Sequence, residues 1–564
     1  MNKIIKSQLS VIGYGLLAVG CWFSVSCAEY NETDNFYAAP DPSFVEPYKD
    51  LATVKSYIDR SQYPNLKLGA TLKVSDFNKQ ELAHAAAVTN CDNVAFGASL
   101  MSGTIVNSKG VMNFLDMSDL LSHVEEIGYE VYGSPLFANA NQCDDWLALL
   151  TAPIEIPVDY VEGKVVNYND STEFHGTVES KAGSASIAKY DNQNCLKIGG
   201  QGKVRIIEGF EVDPKAKYTT TFWAKADKDA TITAIYFSGN KVNGSGADGK
   251  WTFKGGKWTK IVVEAQSAEG ETEGYLRIEN GRSPVIYIQK VQVGYYPDNH
   301  RPQTEQELKD TIDYAINAWC DGLMKINNGR IKSFDLIDEP IDTKSELEGK
   351  AGIYDLKHST EKIFWQDVLG SENYAPVVGK VASEAFETHN GNSADLKFFI
   401  SETGLEDQKT FESLKYWIGV WEAKGAKIDG INAKLNLIYS EDDSTQQAGK
   451  ASLDKLLQNL ASTGKLIRLS NFDIKYQDAT GAYVSADKIT DEQRQKLADY
   501  YGYVIKSYMS VIPNDKQVGI CKGNLADTSD PVGLWAIKAI DTKGTKDWVR
   551  TATYKAFCDA FSGK

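Results

Sequence analysis

Short apolar runs alternate with amphipathic segments in the first quarter of the chain. The pattern predicts strands at 66–71, 92–96 and 129–136, with helices at 81–88 and 115–127 between them. Strands that alternate with helices of this length are typical of parallel βα units. A short helix is also predicted at 48–60, ahead of the first strand.

The pattern changes between residues 155 and 299. Helical periodicity is replaced by short runs of alternating polar and apolar residues, separated by glycine-rich breaks. Six such runs lie at 203–207, 218–224, 230–237, 258–263, 274–278 and 285–293. Regularly spaced short strands with turn residues between them predict an all-β sandwich of the jelly-roll kind.

The βα alternation resumes at Thr304. The predicted strands are 332–337, 396–400, 428–431, 466–470 and 517–521, and the predicted helices are 305–324, 377–386, 411–423, 453–461, 492–507 and 549–561. Three strands before the sandwich and five after it make eight. The predicted fold is therefore α/β, a (β/α)8 TIM barrel over 63–154 and 300–564, interrupted after strand 3 by the sandwich at 155–299.

The first 27 residues read as an export signal. Lys3 and Lys6 precede an apolar run that is too short for a comfortable membrane span, and small residues lead up to Cys27. This order is typical of a bacterial lipoprotein, with Cys27 as the lipidated residue and Cys21 as a second candidate. Residues 28–62 are then a tether, and we expect a cell-envelope protein, lipid-anchored in the outer membrane and exposed at the surface.

Charge and motif content narrow the function. The formal net charge is −16, opposite to what a phosphate-binding surface needs, so nucleic acid is not expected as a partner. The eight cysteines show no CxxC spacing, the six histidines no HExxH motif, and no nucleotide-binding glycine loop is present. We therefore expect no catalytic metal and no cofactor, and the 29 Tyr, 21 Phe and 11 Trp suit a neutral polysaccharide partner better.

Five strand ends resemble, in order, those of the family 10 glycoside hydrolases (xylanases). The segment FDLIDEPI at 334–341 is similar to that family's WDVVNEAI at the end of strand four. The other four matches are NVAFGASLM at 93–101 to SVTPENEMK, YGSPLFAN at 132–139 to RGHTLVWH, IDGINAKLNL at 428–437 to IDGIGFQSHL, and LSNFDI at 469–474 to ITELDI.

The resemblance implies retaining hydrolysis of β-1,4 bonds by two carboxylates, one acid/base and one nucleophile. Glu339 matches the acid/base position, but Asn471 stands at the nucleophile position. An amide cannot form the covalent glycosyl ester that this mechanism needs. Asp473 matches a position that is Asp in the active family too, so it is a poor substitute.

The resemblance also implies that the sugar-binding positions have changed. Gly97, Ala98, Met101, Ser134, Ala138 and Asn139 replace the polar and aromatic residues of strands two and three. Asp338, Lys434, Asn436 and Lys522 stand at further mouth positions and are the substrate-binding candidates there. Two interpretations stay open for Glu339 and these lysines: an ion-pair network that fills the mouth, or residual contacts to sugar.

The inserted sandwich carries a second set of candidates. The run YTTTFWA at 218–224 resembles a core strand of the family 4/9/22-type carbohydrate-binding modules, so Trp223 and Trp258 are expected in the core. Tyr236, Phe237 and Trp251 are candidates for a surface on which sugar rings stack. The insert follows the C-terminal end of a strand, the side that carries the active site in such barrels. It is either a carbohydrate-binding module or a tolerated loop insertion.

Three functions follow from these features. The favoured one is a surface lipoprotein that binds plant β-glycan of the xylan type on a degenerate, non-hydrolytic barrel (a pseudoenzyme), beside other glycan-utilisation proteins. The alternatives are an active endo-1,4-β-xylanase and a structural envelope protein whose cleft binds nothing.

Overall fold

The structure, a computed structural model, describes residues 46–564 except 245, 247, 283 and 540–545. The predicted signal peptide 1–27, with Cys27 and Cys21, and the tether up to residue 45 lie outside the described residues. Within the described ranges, no helix is both long and apolar enough to cross a membrane.

The described chain divides into two compact units. One combines the residues up to Leu150 with Glu307–Lys564, and the other is Thr151–Gln306. The first is a (β/α)8 barrel and the second an inserted β domain, so the predicted fold class is confirmed.

The barrel consists of eight parallel strands. They are β1 Leu68–Thr71, β2 Asn93–Ala95, β3 Glu130–Tyr132 with its continuation Phe137–Ala138, β4 Ser333–Asp338, β5 Lys397–Thr403, β6 Gly430–Lys434, β7 Leu466–Ser470 and β8 Gln517–Lys522. Strands β1 to β3 and β4 to β8 each pair with the next, and β1 pairs with β8 in parallel (Leu68 opposite Ile520). The continuation of β3, Phe137–Ala138, pairs in parallel with Ile337 and Asp338 of β4.

The ring closes across the interruption in β3. The backbone amides of Gly133 and Leu136 donate to the carbonyls of Ser333 and Asp335, at 2.8 and 2.9 Å. Gly133 is required at this seam, because a Cβ there would lie 2.1 Å from the ring of Phe334. The interrupted strand turns its following loop, Ser134 and Pro135, into the barrel mouth.

The barrel helices pack around these strands. They are Val74–Asn78, Leu82–Asn90, Ser102–Ile105, Leu115–Glu126, Asp144–Leu150, Glu305–Asn327, Trp365–Leu369, Tyr374–Thr388, Gln408–Ala423, Asp443–Ser462, Asp491–Val511 and Ala552–Phe561. Three of the longer ones begin at side-chain caps, Asp407, Asp442 and Thr490, the last in a capping box with Gln493. One continuous apolar cluster fills the space between helices and strands.

Two predicted helices differ in the structure. Residues 48–60 contain one 3-10 helix, Val54–Tyr57, in place of the predicted α-helix. The backbone amide of Val54 donates to Oδ1 of Asn90 at 3.2 Å. The last helix begins at Ala552 and not at 549, because Lys546–Arg550 forms an antiparallel pair with Trp535–Ala539.

The β domain is a two-sheet sandwich. The larger sheet runs Thr259–Ala265, Lys217–Lys225, Ile286–Tyr296, Gln193–Gly200, Gly183–Tyr190, with Val161–Asn167 also paired to Ile286–Tyr296. The smaller sheet runs Asn240–Val242, Ala234–Phe237, Glu273–Glu279, Lys203–Glu211, and Ala230–Ile232 pairs with Trp251–Phe253. A second apolar cluster, separate from that of the barrel, lies in the sandwich.

Candidate functional site

A cavity of about 480 Å³ opens at the C-terminal ends of the barrel strands. Eight of the predicted mouth residues line it: Gly97, Ala98, Met101, Ser134, Asp338, Glu339, Lys434 and Asn471. The structure therefore brings together the residues at the acid/base and nucleophile positions. Asn436 is exposed and does not belong to the residues that line this cavity.

An ion-pair cluster occupies one wall of the cavity. The ammonium nitrogen of Lys434 lies 2.5 Å from Oδ1 of Asp338 and 3.1 Å from Oε1 of Glu339. Burial alone would lower the pKa of Lys434, but the two carboxylates outweigh burial and leave that pKa raised. Lys357 approaches the other oxygen of Glu339 at 4.0 Å. Glu339 thus faces a cation at each of its two oxygens.

The backbone holds both catalytic positions in an unusual conformation. Glu339 and Asn471 have φ angles of 45° and 51°, in the left-handed region. The amide of Glu339 donates to the carbonyl of Ser401 at 2.8 Å. The side-chain amide of Asn471 donates to the carbonyl of Leu435 at 3.2 Å. Asn471 is therefore fixed to a neighbouring loop and is not a group poised for chemistry.

A buried polar cluster lies beneath the ion pairs and was not predicted. Oδ1 of Asp335 accepts from the Tyr132 hydroxyl at 2.7 Å, and Oδ2 accepts from the Asn432 amide at 2.9 Å. The guanidinium of Arg468 lies 3.8 Å from the centre of the Tyr132 ring. Burial, reinforced by the nearby charge of Asp338, raises the pKa of Asp335 to about 6.

This pKa predicts a pH-dependent contribution to stability. From its ordinary value of 3.8 up to about 6, the folded carboxyl of Asp335 holds a proton that the unfolded chain releases. Stability from this group therefore falls as pH rises through that window. Between pH 4 and pH 7, we expect the free energy of unfolding of Asp335→Asn to rise relative to that of the wild type by on the order of 2 kcal/mol.

The measurement is the urea midpoint of each protein across that range. Asp116→Asn is the control, because Asp116 is exposed on helix Leu115–Glu126. Parallel pH profiles for wild type and Asp335→Asn would contradict the assignment.

The carboxyl of Glu402 near the barrel mouth is also buried. Burial raises the pKa of Glu402 to about 7, although the amides of Ile341 and Thr403 donate to it at 3.1 and 3.0 Å. The charge of Glu339 also helps to raise the pKa of Glu402. Glu402 is not among the residues that line the cavity. Glu402 therefore stabilises the backbone at the strand ends by accepting hydrogen bonds, and it does not replace the missing nucleophile.

The prediction that Lys522 binds substrate is wrong. Its side chain is fully buried, contacts a carboxylate oxygen of Asp473 and lies 3.4 Å from the Tyr501 hydroxyl. Asp473 also accepts from the side-chain amide of Asn524 at 2.6 Å. Strand alternation directs Lys522 away from the cavity and into a closed ion pair, so it has no free charge for a ligand.

The predicted stacking surface of the sandwich is also partly wrong. Phe237 is fully buried in the sandwich core. Trp251 is half-buried and packs against that core. Tyr236 is half-exposed, but the guanidinium of Arg277 covers it at 4.1 Å from the ring centre. None of the three presents an open ring face.

Partly exposed aromatic side chains lie on or next to the larger sheet instead, and the ammonium of Lys225 lies 5.1 Å and 5.8 Å from the ring centres of two of them, Tyr190 and Trp258. Trp223, expected in the core, is 42% exposed, because its neighbours Phe222 and Ala224 take the inward positions of the strand. Trp258 is half-exposed and meets Tyr190 edge to face at 6.4 Å, and Tyr190 stacks on Tyr287 at 4.0 Å. We call Trp223, Trp258, Tyr190 and Tyr287 the sheet aromatics.

Comparison with known families now places the barrel. The family model described as "Glycosyl hydrolase family 10" matches residues 296–529, which contain Glu339, Lys434 and Asn471. Residues 296–529 of the barrel are thus similar to glycosyl hydrolase family 10. The predicted resemblance is confirmed, and the fold is one that xylan-degrading enzymes use.

Solved structures agree with this family 10 fold. Xylanase B from Clostridium stercorarium F9 shares 10% sequence identity with this chain and superposes with a TM-score of 0.50. The alignment covers 90% of this chain and 100% of the xylanase chain. A GH10 endoxylanase retrieved from a sugarcane soil metagenome shares 9%, covers 91% of this chain and 100% of its own, and also has a TM-score of 0.50. At these identities the likeness is one of fold. No curated protein sequence matches the chain.

Proposed function

We propose that this protein binds plant β-glycan of the xylan type on a family 10 barrel that no longer hydrolyses it. The observation that carries the proposal is the state of the two catalytic positions. Asn471 has no charge and donates to the Leu435 carbonyl, and Glu339 is paired with Lys434. A retaining hydrolase needs a nucleophilic carboxylate and an acid/base carboxyl, and here the first is replaced by an amide and the second is held in an ion pair.

The pairing of Lys434 matters as much as the loss of the nucleophile. A general acid works near neutral pH when its pKa is raised by an apolar setting. Glu339 instead has an ammonium at 3.1 Å and a second one at 4.0 Å, so its surroundings are charged and not apolar. The carboxylates of Asp338 and Glu339 are therefore engaged in ion pairs with Lys434 and are not available to act on a glycosidic bond.

The second candidate is an active endo-1,4-β-xylanase, favoured by one observation. Glu339 keeps the acid/base position and remains about one-third exposed at the cavity. Reducing-sugar release from xylan, measured together with affinity electrophoresis in xylan gels, separates the candidates. Retardation without release supports the proposal, release supports the hydrolase, and neither supports a structural envelope protein.

The sheet aromatics support glycan binding by the inserted sandwich. An open indole offers a flat apolar face to a pyranose ring, and Trp223 is the most exposed of the ten tryptophans among the described residues. We expect Trp223→Ala in the full chain to weaken binding of xylo-oligosaccharides roughly fivefold, or about 1 kcal/mol. Isothermal titration calorimetry measures this loss.

Two variants make the result specific. Val262→Ala is the matched control, because Val262 is equally exposed on the adjacent strand and has no ring. Ala98→Trp fills the barrel cavity from its exposed rim and leaves the sandwich unchanged. Binding lost only in Ala98→Trp would place the glycan in the cavity and not on the sheet aromatics.

Membrane attachment is part of the proposal, on the grounds of the signal sequence alone. We expect Cys27→Ser to move the protein from the membrane fraction to the soluble fraction, because the acyl chains attach to this thiol. Fractionation with labelled palmitate incorporation measures the change. Cys21→Ser is the matched control, and release by Cys21→Ser instead would assign the anchor to that residue.

A further inference from the structure

Two histidines from different helices meet on the outside of the barrel. His84 belongs to Leu82–Asn90 and His123 to Leu115–Glu126. Their Nε2 atoms are 2.8 Å apart and their ring centres 4.9 Å apart. Phe77 packs against both rings, at 4.7 and 5.7 Å between centres. The pair is distant in sequence and is not used by the barrel mouth or by the sandwich.

The contacts define the protonation of the resting pair. The side-chain nitrogen of Gln80 lies 3.3 Å from Nδ1 of His123. An amide nitrogen donates, so Nδ1 of His123 accepts and its Nε2 carries the proton. That proton is donated to Nε2 of His84. Burial, and then the neighbouring His123, lowers the pKa of His84.

The same geometry suits a metal ion. Neutral imidazole is a good ligand for late first-row divalent ions, and two nitrogens and two oxygens in a square plane are typical of Cu²⁺. Two nitrogens bound side by side in that plane, each roughly 2.0 Å from the metal, lie about 2.8 Å apart. The observed Nε2 separation therefore needs almost no movement of either helix.

We propose that His84 and His123 form a binding site for Cu²⁺ that joins the two helices. The ion replaces the hydrogen bond between the two Nε2 atoms. The proton of His123 moves from Nε2 to Nδ1 and the Gln80 amide turns its oxygen toward Nδ1, so that no proton is lost and both Nε2 lone pairs bind the metal.

A carboxylate is placed to receive the relocated N–H. Oε2 of Glu126 lies 4.0 Å from Nδ1 of His123, one turn along the same helix. Metal-bound histidines usually donate their second nitrogen to such a group. Among the described residues, no three or more His, Cys, Asp or Glu side chains gather around one point, so water completes the coordination.

The test uses the untagged full chain and CuSO4 as the probe, followed by electron paramagnetic resonance. We expect one Cu²⁺ per chain with the signal of two imidazole nitrogens. His84→Asn and His123→Asn should each abolish that signal, and Glu126→Gln should weaken binding about tenfold. His389→Asn is the control, because His389 pairs with Asp321 elsewhere on the barrel.

The melting temperature of each variant in chelator shows that the fold is intact. Copper should raise the melting temperature of the wild type and of His389→Asn, and leave both His→Asn pair variants unchanged. Absence of a two-nitrogen signal in the wild type, or its persistence in both pair variants, would overturn the proposal. The resting pair would then be a hydrogen bond only.

Discussion

Purified protein should release no reducing sugar from xylan above a boiled control. Asn471 cannot attack the anomeric carbon to form a glycosyl ester, and loss of one catalytic member typically lowers the rate on the order of 10⁴-fold or more. Glu339 cannot compensate, because Lys434 holds its oxygen at 3.1 Å. The measurement is a long incubation at high protein concentration, with product sugars resolved by chromatography.

Variants at the same positions sharpen this expectation. Glu339→Gln should equal the wild type, because a residue that does no chemistry can be neutralised without loss. Asn471→Glu alone should remain inactive while Lys434 neutralises Glu339. We expect measurable turnover first in the double variant Lys434→Gln/Asn471→Glu. Turnover by the unmodified chain that disappears in Glu339→Gln would contradict the proposed function.

Lys522→Met should destabilise the barrel by about 3–5 kcal/mol. Lys522 is fully buried and paired with Asp473, and removing one partner of a buried pair leaves the other charge without its counter-ion. The amide of Asn524 still donates to Asp473, but it brings no charge. Calorimetric unfolding of the full chain should show the loss in the barrel transition.

A double variant distinguishes charge from packing. Lys522→Met/Asp473→Asn removes both charges and should recover much of the lost stability. Lys475→Met is the matched control, since Lys475 is half-exposed and pairs with Asp530 at 3.5 Å, and it should cost below about 1 kcal/mol. Equal losses in Lys522→Met and Lys475→Met would show that the buried pair is not important for stability.

The barrel was readable from sequence because its strands are buried on both faces. Leu466–Ser470 agrees with the prediction to the residue, since Leu466, Ile467 and Leu469 make it mostly apolar between two helices. Helix ends were less readable, as at 546–550, where a hairpin strand carries Trp548 and Val549 in a pattern that also suits a helix. Such boundaries depend on pairing with a distant segment.

The contacts among the charged residues inside the barrel could not be predicted from the sequence in the same way. Arg468 and Asp335 lie on strands β7 and β4, and only the closed ring brings both to Tyr132. Glu339 and Asn471 were found because family motifs fix their places along the strands. In the sandwich, Trp223 was assigned to the wrong face, although the alternation with buried Phe222 offered a signal for it.

The left-handed backbone at Asn471 has a consequence for how an enzyme becomes a binding protein. A side chain such as glutamate holds a φ of 51° at a cost in stability, whereas asparagine enters this region more readily. On the proposed function, an asparagine at this position both removes the nucleophile and lowers the strain of the main chain, so that restoring the glutamate would cost stability.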